Sequence, residues 1–564
     1  MKYKKHERSK KGVNDMSKLL AGAAAAVLLF QPAANAVHGG EATGSIAADA
    51  DISQYEKGDV NCDGQIKISD LVLLQKWLIG AGDSELNISE TADICEDGRV
   101  DIFDLTALRR LLLSKIKGLD KKAPVSELAP AMSGMGRSRI PVFSVEFPDY
   151  CADTDFAKQV KQNCFGAEDK DESFYPLESV PAYFDRASYG KMYLECDVMS
   201  YRAKEPAETY VKNNSLGLAE EIMSEYAEKL DLSAYDANRD DLLDSMVIIV
   251  PEKLLEMDNN GDKIPDWWPF SAKYYGSDTY DGMKLGSYCV IPYWKNDRAG
   301  TNSKIAHELC HAMGLTDYYG TNQETGSDIG SMSGSAGSEL MDEGSGDLSA
   351  FSKLMLGWIT EEDIQVYTGG EQSFTLNSSQ QKPSCILIPR DSEKGLLGEY
   401  FVIEFITGEG NNSACFINGL QSTLFSKSGG VRILHCNAEV SDGVFGKDYK
   451  YSINSPDYDK TDEKQRVMRL VNDSGMFYPG VRGLNYRDVI DSANEDFRWY
   501  DEEGGLTVDT GLKVKISELR PNPNYEPDPF SGADAWGGDE RHLANDPDYL
   551  SGATYTITIS QVSS

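Results

Sequence analysis

The sequence predicts a multidomain protein with a small all-α module of calcium-type loops, a larger α+β domain, and an all-β, sandwich-like C-terminal region. Two acidic twelve-residue segments repeat near the N-terminus, and a helical apolar pattern follows each. A later helix-forming segment carries two histidines four residues apart, among mixed helix and strand patterns. Beyond residue 362 the apolar runs are short and β-rich.

The composition is that of a folded and strongly acidic protein. The chain has 564 residues, of which 40% are hydrophobic and 26% charged, and its formal net charge is −36. This length exceeds what one hydrophobic core usually serves, so several domains are expected. Such an acidic surface excludes nucleic acid as a partner, because phosphate binding requires basic side chains.

Residues 1–36 have the pattern of a signal for export. A basic stretch precedes an apolar run at 19–30, and Ala34-Asn35-Ala36 offers a small-residue cleavage site. The run is too short to span a membrane, although a retained anchor is the alternative interpretation. We therefore expect a secreted, extracellular protein with no membrane span in the mature chain. Its ten cysteines allow a few disulfides, whose pairing the sequence does not give.

The two acidic segments, 59–70 and 93–104, repeat at a spacing of 34 residues. In a twelve-residue calcium loop, oxygen ligands fall at positions 1, 3 and 5, a glycine at 6 allows a sharp turn, a carbonyl serves at 7, and a carboxylate closes at 12. The expected calcium ligands are Asp59, Asn61, Asp63, Gln65 and Asp70 in the first loop, and Asp93, Asp97, Arg99, Asp101 and Asp104 in the second.

With Asp at position 12 and one helix per loop, residues 55–118 resemble a dockerin. The resemblance implies one or two bound calcium ions and attachment to the cohesin module of a scaffoldin, at a cell surface or in a cellulosome. Cys95 stands where the second loop should have an Asn or Asp ligand, which leaves calcium binding there open. A disulfide between Cys62 and Cys95, or an ordinary acidic helical hairpin, are the alternatives.

Three segments follow the dockerin-like module. Residues 119–138 are polar, rich in Pro, Gly, Ser and Met, and without periodicity, which predicts a linker. Residues 139–362 form the α+β domain, and residues 363–564 form the β-rich region. The patterns predict strands at 140–147, 245–250, 385–388, 400–405, 431–435 and 555–559, and helices at 182–188 and 216–230.

The motif H-E-x-x-H-x-x-G-x-x-D begins at His307. On a helix, His307 and His311 lie on one face and can hold one zinc ion, with Glu308 beside it. Zinc needs a third protein ligand and an open position for water. Gly314 can end the helix in a left-handed conformation and turn the chain back, which makes Asp317 the third ligand. Glu308 then acts as general base on a zinc-activated water.

The extended motif resembles that of the immune inhibitor A family of bacterial metallopeptidases, which belongs to the metzincin-like group. The resemblance spans about residues 139–475 and is carried also by 142–149, 187–194, 340–342, 349–353, 356–358, 399–404 and 429–435. It implies a metzincin-like α+β fold, one catalytic Zn²⁺, endopeptidase activity on proteins or peptides, and a methionine turn beneath the zinc. Met341 is the expected methionine of that turn, and Met332 is the alternative. Either methionine could instead be an ordinary core residue.

Two further acidic runs space their oxygens at positions 1, 3, 5 and 9, which is calcium-loop spacing without the full closing position. We predict calcium there, against the alternative of solvated acidic turns. The candidate ligands are Asp236, Asn238, Asp240 and Asp244 in the first run, and Asp258, Asn260, Asp262 and Asp266 in the second.

The leading hypothesis is a secreted, dockerin-bearing zinc endopeptidase. A non-catalytic surface or binding protein on the same scaffold is the alternative, but a pure scaffold has no need of Glu308. A carbohydrate-cleaving enzyme is a weaker alternative, because glycosidases need two carboxylates that flank the bond. His435 is expected to be a core histidine, and Cys310 a buried core residue that faces away from the zinc ligands.

Overall fold

The computed structural model describes residues 55–80, 90–108, 123–319, 321–322, 327–328, 339–342, 346–416, 430–452, 465–471, 489–524 and 552–562, apart from internal gaps of one to three residues. The chain divides into two compact units, Met1–Lys121 and Lys122–Ser564. The signal segment predicted at 1–36 lies outside the described residues, as does Met332. None of the helices in the described part combines the length and apolar character that a membrane crossing needs.

The first unit places a helical segment after each acidic loop. Helix α1 (Ile68–Leu78) follows the first loop, and residues 102–105 and 107–108 are helical after the second. A 3-10 turn, Glu90–Ala92, stands before the second loop. The apolar sides of these elements meet in a small core formed by Val60, Leu74, Ala92, Leu105 and Leu108.

The second unit begins with a five-stranded sheet. Its strands and two short additional strands are β1 (Gly136–Glu146), β2 (Met192–Arg202), β3 (Leu242–Leu243), β4 (Met246–Pro251), β5 (Phe270–Lys273), β6 (Lys284–Leu285) and β7 (Ser287–Tyr293). The sheet order is β2-β1-β4-β7-β5, and β3 pairs with β6. The first four strands run parallel, whereas β5 runs antiparallel to β7 at the edge. Every residue of β4 and β7 is buried, as expected for strands covered on both faces.

Helices cover both faces of this sheet, and polar side chains cap three of them. The helices are α2 (Phe156–Cys164), α3 (Val180–Ala187), α4 (Leu216–Tyr226), α5 (Arg298–Ala312) and α6 (Ala350–Met355). The caps are Ser179, Asp297 and Ser349, each of which accepts a backbone N–H of the first turn. Short 3-10 helices lie at Pro124–Leu128, Ala207–Tyr210, Leu232–Tyr235, Glu252–Glu256, Gly395–Leu397 and Gly410–Phe416.

Two larger sheets and three two-stranded sheets form the C-terminal part of the described chain. The strands are β8 (Thr321–Asn322), β9 (Ser327–Asp328), β10 (Ile364–Val366), β11 (Gln372–Asn377), β12 (Cys385–Pro389), β13 (Glu399–Ile406), β14 (Gly430–Asn437), β15 (Val440–Gly443), β16 (Gly446–Tyr449), β17 (Met468–Leu470), β18 (Val489–Asp491), β19 (Arg498–Tyr500), β20 (Leu506–Asp509), β21 (Leu512–Ile516) and β22 (Thr554–Gln561). The orders of the larger sheets are β10-β12-β13-β14-β17 and β11-β22-β21-β18, and the two-stranded sheets are β8-β9, β15-β16 and β19-β20. The two larger sheets share one apolar core, which includes Phe401 and Ile557.

The boundary predicted at residue 362 does not separate two cores. Along β13, Tyr400 and Val402 belong to the same core as helix α5, whereas Phe401 and Ile403 belong to the core shared with the four-stranded sheet. Successive side chains of a strand point to opposite faces, so one sheet serves both cores. The α+β part and the β-rich part are therefore fused within the second unit.

The described part of the predicted linker is also folded. In segment 123–138, Val125, Leu128 and Met132 are buried in the core that contains α5. The Met132 N–H donates to the carbonyl of Ala312, at the end of α5, over 3.0 Å. The segment lacks periodicity because it is a 3-10 turn and an irregular stretch, not because it is unpacked.

Removal of this segment should destabilise the second unit. A chain that begins at residue 133 lacks three side chains whose burial each contributes about 1.5–3 kcal/mol. We expect its thermal unfolding midpoint to fall well below that of a chain that begins at residue 122. Equal midpoints would show that residues 123–132 serve only as a linker.

Candidate metal centre and calcium loops

Helix α5 carries the two motif histidines toward the interior of the second unit. The side chain of Asp297 accepts the N–H of Gly300 and starts the helix. His307 is buried and His311 is partly buried, while Glu308 lies beside them and is also buried. The four-residue spacing thus places both imidazoles on one side of the helix.

The turn after α5 has the left-handed conformation that the sequence predicted for Gly314. Its φ is +97°, and its N–H donates to the carbonyl of His311 over 2.9 Å. The next N–H, from Leu315, reaches back to the carbonyl of Cys310 over 3.0 Å, which completes a Schellman-type helix end. The chain therefore reverses within three residues and returns Asp317 to the histidines.

Three side chains converge at this turn. The distance from Asp317 Oδ1 to His307 Nε2 is 3.1 Å, and to His311 Nε2 it is 3.4 Å. Within the described residues, the ligand atoms of these two His side chains and one Asp side chain all lie within 4.8 Å of one another. The Nδ1 atoms bond to the backbone carbonyls of Leu340 and Leu315, which orients both Nε2 atoms toward Asp317.

These residues fit a zinc ion. Ligands about 2.0–2.1 Å from a tetrahedral zinc lie about 3.3 Å from one another. The two distances from Asp317 Oδ1 match that spacing. The same oxygen is buried and meets no hydrogen-bond donor other than the two imidazole Nε2 atoms, which would bind the same cation. Two imidazoles and one carboxylate are also a donor set that catalytic zinc accepts, with a position left open.

The charges at the centre favour a bound cation. Burial lowers the pKa of His311, but the carboxylates of Asp317 and Glu308 outweigh that effect and raise the pKa to about 9. Burial raises the pKa of Asp317, yet the imidazoles of His311 and His307 bring it far below its usual range. A metal ion has to displace the imidazole proton, so metal and proton compete for this centre.

Glu308 lies at the centre but outside the ligand group. Its Oε2 is 4.0 Å from His311 Nε2, which is beyond hydrogen-bond distance. The carboxylate is buried, so little bulk water competes for it. It can therefore act on a water bound at the open position rather than on the metal itself.

The predicted methionine turn lies behind both ligand segments. Leu340 accepts from His307, and the carbonyl of Met341 accepts the N–H of Tyr318, the residue after Asp317, over 3.0 Å. Met341 is fully buried in the core that contains α5. Residues 339–342 thus fix one histidine ring and the segment that carries the third ligand.

Glu339 holds this turn in place, and sequence analysis missed it. Its buried carboxylate accepts from the N–H of Met341 and the hydroxyl of Ser352, each over 2.5 Å, and from the N–H of Ser349 over 3.2 Å. Burial raises the pKa of Glu339 to about 7. A single Glu in a Ser- and Gly-rich stretch matches no sequence motif, so only the fold shows its role.

Other candidates occupy structural positions. Cys310 is fully buried, and burial holds the pKa of its thiol well above the usual range. His435 is also fully buried, and its Nε2 lies 2.9 Å from Glu399 Oε1. Both predictions of core residues are confirmed. The Tyr318 hydroxyl bonds to Ser352 at 2.9 Å inside the core.

The first N-terminal acidic loop is closed by its own carboxylates. Asp59 Oδ2 accepts the N–H of Gly64 over 2.8 Å, and Asp70 Oδ1 accepts the N–H of Asn61 over 3.0 Å. Asp59 and Asp70 are both buried. The predicted ligands Asp63 and Gln65 lie outside the described residues.

The second loop repeats these contacts. Asp93 Oδ2 accepts the N–H of Gly98 over 2.9 Å, and Asp104 Oδ1 accepts the N–H of Cys95 over 3.0 Å. Asp104 Oδ2 accepts the N–H of Asp101, whereas Arg99 is exposed at the position that would offer a backbone carbonyl. The predicted ligand Asp97 lies outside the described residues. No disulfide joins Cys62 to Cys95, which excludes that alternative.

The two acidic runs of the second unit differ from each other. The loop 236–244 is described fully, whereas Asn260 and Asp262 of the second run lie outside the described residues. In that second run, Asp258 Oδ1 accepts the N–H of Gly261 over 2.7 Å, and Asp266 Oδ2 accepts the N–H of Asn259 over 2.9 Å. These contacts are compatible with an ordinary turn, so calcium there stays a prediction.

Comparison with known proteins identifies one domain. Residues 57–113 match the family model of the dockerin type I domain. The match supports the dockerin module predicted at 55–118, and with it calcium as a bound ion, a cohesin as partner, and association with a cellulosome or cell surface. No curated protein matches the chain.

Substitution of Gly314 by Ala should weaken metal binding. An added Cβ would lie 3.2 Å from side-chain atoms of Pro130 and Val125, and φ is positive. We expect a loss of about 1–3 kcal/mol in unfolding free energy and a lower zinc affinity. Gly282→Ala is the matched control, because φ is +85° there and no atom lies within 4 Å of the added Cβ. Zinc affinities that fall equally in both variants, or in neither, would contradict this role of Gly314.

Proposed function

We propose that the second unit is a zinc-dependent endopeptidase, with His307, His311 and Asp317 as the zinc ligands and Glu308 as the general base. One observation carries the proposal: the buried Asp317 Oδ1 lies at tetrahedral ligand spacing from both imidazole Nε2 atoms, and all three ligand atoms lie within 4.8 Å of one another. The motif spacing and the family resemblance of residues 139–475 support it further.

The chemistry divides between the ion and the chain. Zinc bound here would supply Lewis acidity at its open position. Glu308, placed next to that position, accepts the proton of the attacking water and passes it to the leaving amine. Leu340 and Leu315 hold the two imidazoles in the tautomer that presents Nε2. The surrounding core buries His307 and Glu308 and leaves His311 and Asp317 partly exposed.

The dockerin domain supplies attachment. It binds calcium and a cohesin of a scaffoldin, so the proposed peptidase is brought to a cell surface or cellulosome. Residues 1–36 carry the export pattern that such a location requires. The substrates we propose are proteins or peptides that reach this assembly.

The alternative is a non-catalytic protein that keeps the scaffold for binding. It does not account for Glu308, which is buried although it holds none of the contacts of the turn. Burial of a carboxylate costs free energy that a scaffold has no reason to maintain. Activity measurements separate the two hypotheses directly.

Replacement of Glu308 by Gln should abolish casein hydrolysis and preserve zinc content. Loss of a general base typically lowers the rate by about 10²–10⁴-fold, whereas the three ligands are untouched. Glu228→Gln, at an exposed position, is the control and should keep full activity. Hydrolysis by Glu308→Gln at the rate of the unaltered protein would refute the mechanism.

Calcium-loop variants should separate attachment from catalysis. Asp70→Ala removes a buried closing carboxylate of the first loop and should abolish calcium-dependent cohesin binding, measured by titration calorimetry. Asp104→Ala removes the closing carboxylate of the second loop, in which Cys95 replaces a ligand, and tests whether cohesin binding also depends on calcium there. Both variants should hydrolyse casein normally. Retained cohesin affinity in both variants would contradict attachment through these loops.

A further inference from the structure

Asp244 is a fully buried carboxylate in the second unit with unsatisfied oxygens. Its exposure is 0%, and neither Oδ1 nor Oδ2 has a hydrogen-bond partner. Asp236 and Asp240, in the same loop, repel its charge, and the nearby N–H of Ala237 falls short of hydrogen-bond geometry. A buried acid that faces two more acids is unfavourable unless a cation lies among them.

The backbone of the loop 236–244 repeats that of the first dockerin loop. Counted from the first aspartate, positions 4 and 6 of the loop are Arg239 and Asp241, with φ of +59° and +65°. The same positions of the dockerin loop are Cys62 and Gly64, with φ of +53° and +82°. Left-handed conformations are uncommon for residues other than glycine, so the shared pair of positions is specific.

The two loops also share their internal hydrogen bond. Asp236 Oδ2 accepts the N–H of Asp241 over 3.1 Å, from position 6 to position 1. Asp59 Oδ2 accepts the N–H of Gly64 over 2.8 Å, between the same two positions. The second unit therefore contains a loop with the conformation of a calcium loop in the dockerin of the same chain.

We propose that the loop 236–244 is a calcium site, with the side chains of Asp236, Asn238, Asp240 and Asp244 and the carbonyl of Leu242 as ligands. All five offer oxygen, the donor that calcium prefers and zinc does not. Calcium takes six to eight oxygen ligands at about 2.3–2.6 Å in variable geometry, and water can supply those that the loop does not.

The ion would anchor the central strands of the first sheet. Asp244 lies two residues before the start of β4, and its N–H donates to the carbonyl of Tyr235 over 2.9 Å. Its carbonyl accepts the hydroxyl of Ser287, the first residue of β7, over 3.1 Å. Calcium at this position neutralises the acid where the two innermost strands begin, and β7 packs against helix α5.

The test compares the full-length protein with its Asp244→Asn variant, in calcium and in EGTA. Equilibrium dialysis should give one calcium ion fewer for the variant. In calcium, the variant should unfold several degrees below the unaltered protein, because ligand binding stabilises only the protein that keeps the site. In EGTA the order should reverse, because the variant lacks the unpaired buried charge.

Two further variants complete the test. Asp241→Asn removes a charge from the same loop at an exposed position that offers no ligand, and it should keep both the calcium count and the calcium-dependent stabilisation. Asp240→Asn, at an exposed ligand position, should lose one ion even if Asp244→Asn does not fold. An unchanged calcium count in Asp240→Asn, or an Asp244→Asn variant destabilised equally in calcium and EGTA, would overturn the proposal. Neither result depends on peptidase activity.

Discussion

The left-handed turn at Gly314 is the constraint on which the metal centre depends. It ends helix α5 and brings Asp317 back to the two histidines within hydrogen-bond distance of their Nε2 atoms. Residues 123–132 pack directly behind this turn, and Val125 and Pro130 crowd the position that a Cβ would take. The segment 339–342 holds His307 and the chain beside Asp317 from the other side. The ligands are thus fixed by packing as well as by the helix.

In the second unit, buried carboxylates connect segments that are distant in the sequence. Glu339 connects the methionine turn to the start of α6, and Glu404 pairs with Arg432 while it accepts the first N–H of the same helix. Each of these carboxylates has protein donors. Asp244 has no donor on either oxygen and Asp317 Oδ1 has only the two imidazoles, and each of these acids belongs to a proposed cation site. A buried oxygen with no donor outside its own site is therefore the common sign of both proposed metal sites.

Local patterns predicted much of the architecture. Apolar runs predicted the bounds of strands β4, β12, β13, β14 and β22 to within two residues. The four-residue histidine spacing and the helix-ending glycine predicted that His307, His311 and Asp317 would come together. The repeated loop pattern gave the dockerin.

The remainder depends on contacts between distant residues, which no local pattern carries. Strand β13 is buried on both faces, so its sequence is one apolar run. Such a run does not show that the two faces pack in different cores. Segment 123–138 resembled a linker because irregular backbone has no period. Glu339 gave no signal, because two of its three donors, from Ser349 and Ser352, lie ten or more residues away in the sequence.

The central claim is that His307, His311 and Asp317 bind one zinc ion. Zinc K-edge X-ray absorption of the full-length protein, purified without chelator, measures that coordination directly. The account predicts one zinc ion with nitrogen and oxygen ligands at about 2.0–2.2 Å and an imidazole scattering pattern. A dominant sulfur shell at about 2.3 Å, or protein that retains no zinc after dialysis, would contradict it.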